Sequence, residues 1–147
     1  MPNNIAVPLG TLNRLRTYMF VPNFPALTVT PSFMGRRSIR LSRDGRFVEN
    51  LDALTGLVPS GEPYQKMGAH INLLKSQGLA NTYEQQILDN AQIGDVTVRT
   101  DAATLQSFVI LNASIVSVDE LSFAGDDPSY MVVVEGYYPV NSALYNS

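Results

Sequence analysis

An arginine-loaded run, RRSIRLSRDGRFVEN from Arg36 to Asn50, constrains the fold more than any other segment of this chain. Asp44-Gly45 lies between stretches of strand-forming residues. Asp-Gly in that setting is the strongest short-range hairpin signal, because a type I′ turn needs positive φ at both central positions. The spacing predicts an extended hairpin over 36–50 in which Arg43 faces Arg46, Leu41 faces Val48 and Arg40 faces Glu49. One face then carries Ile39, Leu41 and Val48, tipped by Arg43 and Arg46. Directly opposed like charges destabilise a strand pair, and an isolated two-stranded ribbon is marginal in water. Such an element requires a cover that supplies carboxylates and an apolar patch.

The charge distribution offers one. Net charge is −3, yet residues 1–50 carry seven Arg against two acids, a net +5, while residues 51–147 carry three cations against eleven acids, a net −8. Asymmetry of this kind accompanies nucleic-acid or membrane contact. It equally suits head-to-tail self-association, a basic surface of one copy meeting an acidic surface of the next. The plainest alternative is that the halves mix in the fold and neutralise each other. Charged residues are only 16% of the chain, which suggests that part of the surface is not meant to face water.

Catalytic chemistry finds little to work with. With no cysteine there is no disulfide framework, thiolate nucleophile or sulfur-based zinc site. His70, the single histidine, sits on the polar side of an alternating segment with no acid beside it, so neither a triad nor an imidazole metal cluster is expected. Asp89, Asp95 and Asp101 lack EF-hand spacing. A site built only from carboxylates is not excluded by counting, but Asp119, Glu120, Asp126 and Asp127 fall in a turn-rich stretch where solvated acids are the default. Glycine-rich phosphate fingerprints do not occur. Five arginines between Arg36 and Arg46 could grip phosphates, yet no aromatics are interleaved for base stacking. The reading is a protein that is no enzyme, with no cofactor and no metal.

No apolar run approaches the ~20 residues that span a bilayer, and the N-terminal MPNNIAVPLG lacks the layout of a signal peptide. A single domain over 1–147, kept in a cytoplasm-like compartment, is therefore expected. Within it, residues 1–25 read as an extended arm with a turn of helix around Thr11–Tyr18, its apolar residues packing on something. Ala26–Met34 reads as a strand, and Leu51–Pro63 as a loop. Tyr64–Gln77 alternates as a half-buried strand, with Met67, Ala69, Ile71 and Leu73 inward. One helix follows, with Asn81 as cap, Glu84 reaching back, a Tyr83/Ile87/Ala91 stripe and Gly94 as stop. Strands are predicted over Asp95–Thr100, Leu105–Val118 and Tyr130–Val140. The second is apolar on both faces around Phe108–Leu111, as for a strand buried between layers or subunits. This order is α+β and mainly antiparallel.

The run from Leu54 to Asp101 resembles the tail-tube proteins of contractile-tailed bacteriophages. The likeness lies in Glu62-Pro63-Tyr64 entering a strand, an apolar strand from Ile71 to Gln77, a Tyr/Gln-containing helix over Ala80–Ala91, and a Gly94-Asp95 strand start. The Asn112 strand and the final aromatic strand fit the same layout. The resemblance implies a β-sandwich or barrel-like subunit with one flanking helix. Copies would form a hexameric ring, and rings would stack into a hollow tube within a sheath, in a virion tail assembled in the host cytoplasm. Implied partners are further copies, the tail sheath protein, baseplate tube-initiating proteins, the tape measure protein and double-stranded DNA passing without being read, with no membrane insertion. Another tail ring, an initiator or terminator, is the near alternative; a small module gripping nucleic acid through the hairpin is the distant one. On the tube reading, Arg36, Arg37, Arg40, Arg43, Asp44, Gly45 and Arg46 of one copy meet Asp119, Glu120, Asp126 and Asp127 of another.

Overall fold

Period-two alternation carries over most directly from sequence to structure. In the computed structural model, which describes residues 9–145, strand β5 (Tyr64–Leu74) buries Met67, Ala69, Ile71 and Leu73 completely and leaves Lys66 exposed and His70 half-buried. It lies inside a six-stranded sheet ordered β1 (Tyr18–Phe20), β6 (Gln92–Arg99), β7 (Phe108–Val118), β8 (Ser129–Pro139), β5 and β2 (Met34–Asp44), every neighbour antiparallel. β5 and β8 pair over their whole length, from Tyr64↔Pro139 to Leu74↔Ser129. The fold is α+β and mainly antiparallel, with the sheet curled towards a half-barrel.

The concave face is filled from the chain's own N-terminal half and from helix α1 (Gly78–Asp89). Met19, Val21, Leu27 and Val29 meet Leu79, Ala80 and Tyr83 over the buried residues of β5 to β8. The Tyr83 hydroxyl donates to the Leu27 carbonyl at 2.7 Å, fastening the helix to a single 3-10 turn at Pro25–Leu27. Burial pushes the Tyr83 phenol well above its ordinary value near 10. The folded chain therefore holds this proton more tightly than the unfolded chain, so stability is complete below pH 10 and falls as pH rises beyond it. Tyr83→Phe leaves the buried Leu27 carbonyl without its donor. It is expected to cost about 2 kcal/mol in urea unfolding at neutral pH and to lessen the alkaline loss.

Several expected elements come out differently. β2 and the residues after Asp44-Gly45 do not pair. Gly45 has φ 88°, but Asp44 is not in the left-handed region, so the type I′ geometry is not made. β2 lies instead along β5, with Leu41 opposite Ala69 and Arg43 opposite Met67, which places Ile39 and Leu41 against the core. The Gln65 side-chain amide holds the turn by donating to the Gly45 carbonyl at 2.9 Å. An extended hairpin does exist, but it is the segment read as a loop: β3 (Val48–Ala53) and β4 (Gly56–Gly61) pair around Leu54-Thr55. Gly56, Pro59 and Gly61 mimic a turn-rich loop, yet Pro59 is tolerated because a two-stranded ribbon is all edge.

Ala26–Met34 is not a strand. Pro25 and Pro31 each open a 3-10 turn, and only Val29 bridges to Met19. Residues 13–16 form a turn rather than helix, the Asn13 carboxamide oxygen accepting from the Leu15 N–H, and residues 1–8 of the predicted arm lie outside the described residues. Helix α1 starts four residues early, capped by the extended Gln77 in place of Asn81 and without a side-chain bond, and ends at Asn90. Gly94, at φ 78°, kinks β6 instead. Glu84 turns away from the helix start to accept from the Tyr130 hydroxyl. β7 is buried on one face only: Val109 and Val116 are 40% and 51% exposed, because no layer among the described residues covers its outer side.

Candidate interaction surface

The β3–β4 hairpin is fixed at its root and free along its body. The Asn141 side chain, just before the short helix α2 (Ser142–Tyr145), donates to the carbonyls of Phe47 (2.8 Å) and Glu62 (2.9 Å), and the Glu62 N–H also bonds Phe47. Beyond that clamp all six residues of β3 and the first five of β4 are exposed. Leu51 and Val58 are directly opposed on one face, Leu57 and Val48 lie on the other, and Leu54 at the tip is fully exposed. A two-stranded ribbon apolar on both faces gains little from standing in water.

All five arginines from Arg36 to Arg46 are exposed, the first four of them on β2, the sheet edge. Charges on an edge strand hinder indiscriminate strand addition. Arg36 and Arg37 sit in a bulge: Met34 pairs with Leu73 and Ile39 with Ile71, so the residues between are displaced outward, with Ser38 at φ 55°. Arg40 lies opposite His70 and Asp44 opposite Lys66. Arg43 has partners of its own, its guanidinium lying 5.1 Å from the Phe108 ring centroid, 5.5 Å from Tyr138 and 5.7 Å from Phe47. Gly45 and Arg46 follow in the exposed turn that leads to the hairpin.

Asp119, Glu120, Asp126 and Asp127 are all exposed in the connection from β7 to β8. Registers place this connection and Arg43–Arg46 at opposite ends of the sheet. Val118 pairs with Val132 and Ser129 with Leu74, whereas Asp44 pairs with Lys66, and Lys66 with Tyr137 at the far end of β8. The two halves do not neutralise each other through ion pairs. The single ion pair among the described residues, Lys66–Glu135 at 2.8 Å, lies within the acidic half, and its hydrogen bond raises the Lys66 pKa. The strand partners expected for Arg40 and Arg43, Glu49 and Arg46, are replaced by His70 and Met67 of β5.

A cleft of about 650 Å³ lies where β2 curls towards the starts of β1 and β7. Arg14, Arg36, Arg37 and Arg99 line it against Asp101 alone, and Leu15, Leu41, Val98, Leu105 and Phe108 form its apolar wall. Arg14 and Arg99 were missed in the sequence because they are remote from the arginine run, and no local pattern marks them. The His70 ring lies 3.4 Å from the Ser42 hydroxyl, its one side-chain hydrogen-bond partner among the described residues. No group of three His, Cys, Asp or Glu among the described residues is placed to hold a metal, and no helix among them is long and apolar enough to cross a membrane.

No protein-family model matches the chain, and no curated protein matches it. Among solved structures it is similar to the anti-feeding prophage cap, described as the AFP tube terminating cap, at 14% identity with a TM-score of 0.46, covering 94% of this chain and 97% of that one.

Proposed function

We propose that the chain is a structural subunit of a phage-like contractile tail tube, in which copies close into hexameric rings and rings stack into a hollow conduit for DNA. The observation that carries this is the β3–β4 hairpin, rooted by Asn141, apolar on both faces and left exposed along its body by the described residues. Two further features support it. The outer edge of β2 and the Val109/Val116 face of β7 are open, as expected of a sheet completed by neighbours. Arg43–Arg46 and the Asp119–Asp127 connection lie at opposite ends of the sheet, which suits a heterologous, repeating contact.

In this role the chain is a single folded unit that catalyses nothing. Arg36, Arg37, Arg40 and Arg46 face Asp119, Glu120, Asp126 and Asp127 of the adjacent copy, fixing register and partner choice. Sheath, tape measure and baseplate proteins are the partners the sequence resemblance implies, and the virion tail is the place. Sedimentation velocity across a concentration series tests the reading. Loss of monomer into a closed ring species, or into larger stacks, is expected; a monomer at every concentration contradicts it.

A further inference from the structure

The β7–β8 connection, Asp119–Pro128, carries four carboxylates and no basic residue. It is held in place: the Lys75 ammonium donates to the carbonyls of Ser122 and Ala124. Between those two anchored residues stands Phe123, 96% exposed. An aromatic ring held out into water on an acidic loop is an unfinished contact, since such a ring buries on the order of 150–250 Å² when covered.

The cleft beside β2 has the opposite character in both respects. It sets four arginines against one carboxylate and offers an apolar wall. None of its arginines has an ion-pair partner among the described residues. The cleft and the pocket that Phe123 borders share no lining residue, and no ion pair among the described residues joins loop to cleft, so one copy presents both. We infer that Phe123 of one copy inserts into the arginine cleft of the next, its flanking acids meeting Arg14, Arg36, Arg37 and Arg99. The ring would rest on the Leu105 and Phe108 side of the wall while guanidinium groups stack over or beside it. Acidic rim, aromatic anchor and basic socket together form a heterologous contact that repeats from copy to copy. The inference deepens the tube-subunit reading and rests on it.

The chain has no cysteine, so introduced thiols report a single contact. Ala124→Cys, which keeps the Phe123 ring and is exposed beside it, and Leu105→Cys proteins, each folded by circular dichroism, are mixed and mildly oxidised. Ala124→Cys with Leu88→Cys, exposed on α1, is the control. Disulfide formation requires close approach of the two Cα atoms. The expected result is a linked dimer forming at least ~10-fold faster in the Ala124/Leu105 mixture, and Phe123→Ala weakening association at least ~10-fold. Assembly that persists with equal linking in both mixtures overturns the inference and leaves the tube reading standing. Failure of the unmodified protein to assemble overturns both. Salt-sensitive binding of a short DNA duplex by the monomer, lost in Arg36→Glu/Arg37→Glu, would make the cleft a phosphate site and also overturn it.

Discussion

Replacing Leu51, Leu54, Leu57 and Val58 together by serine is expected to abolish assembly at micromolar concentrations while leaving the monomer folded. The folded chain has little to lose, since these side chains are 47%, 102%, 61% and 53% exposed and lie on a hairpin outside the core cluster. Surface substitutions of that kind stay within about ±0.5 kcal/mol each. The assembled state has much to lose. Fully burying a Leu or Val side chain is worth roughly 1.5–3 kcal/mol, and about two thirds of that, at least ~1 kcal/mol each, remains to be gained here. Four such side chains make about 4 kcal/mol per contact, or about a thousandfold in affinity. Sedimentation velocity on the variant, with thermal unfolding beside it, reads both quantities. A variant that assembles like the original shows the hairpin to be idle.

The second large effect concerns charge. Reversing Arg36, Arg37 and Arg46 to Glu is expected to block association, because acids would then face acids across the contact, and such juxtapositions cost several kcal/mol. Reversing Asp119, Glu120, Asp126 and Asp127 to Lys should block it equally. Mixing the two reversed proteins restores complementary faces and should restore association in alternating order. Arg43 is left out deliberately: it lies over the rings of Phe108, Tyr138 and Phe47 within its own chain, so its loss would confound assembly with folding at about 1 kcal/mol. Association of the unmodified protein should also weaken as salt rises from 50 to 500 mM, since the Debye length that screens exposed pairs falls from about 14 to about 4 Å. Indifference of the mixture, both partners remaining monomeric, argues against the pairing of these surfaces.

Strands with clean alternation were legible in the sequence, and β5 is the clearest: every second residue from Met67 to Leu73 is buried. The helix was legible through Tyr83, but its start was not, because Asn81 and Glu84 imitate a capping box inside a helix that begins at Gly78. The hairpin was misplaced for a physical reason. Asp44-Gly45 has the composition of a tight turn, but pairing β2 with β5 brings Ile39 and Leu41 to the core, which a ribbon folded on itself cannot do. Long-range burial outweighed local turn preference. The cleft was illegible, since it gathers Arg14, Arg36, Arg37 and Arg99 from three separate segments. Phe123 was equally hidden, because only the structure shows its ring uncovered while Lys75 holds its neighbours.

Self-assembly through the exposed hairpin and the separated charges is the central claim. Negative-stain electron microscopy of the purified protein over a rising concentration series tests it most directly. Hollow rings, and at higher concentration stacked tubes, are the predicted result. Particles that remain monomeric throughout, with no central channel at any concentration, contradict it.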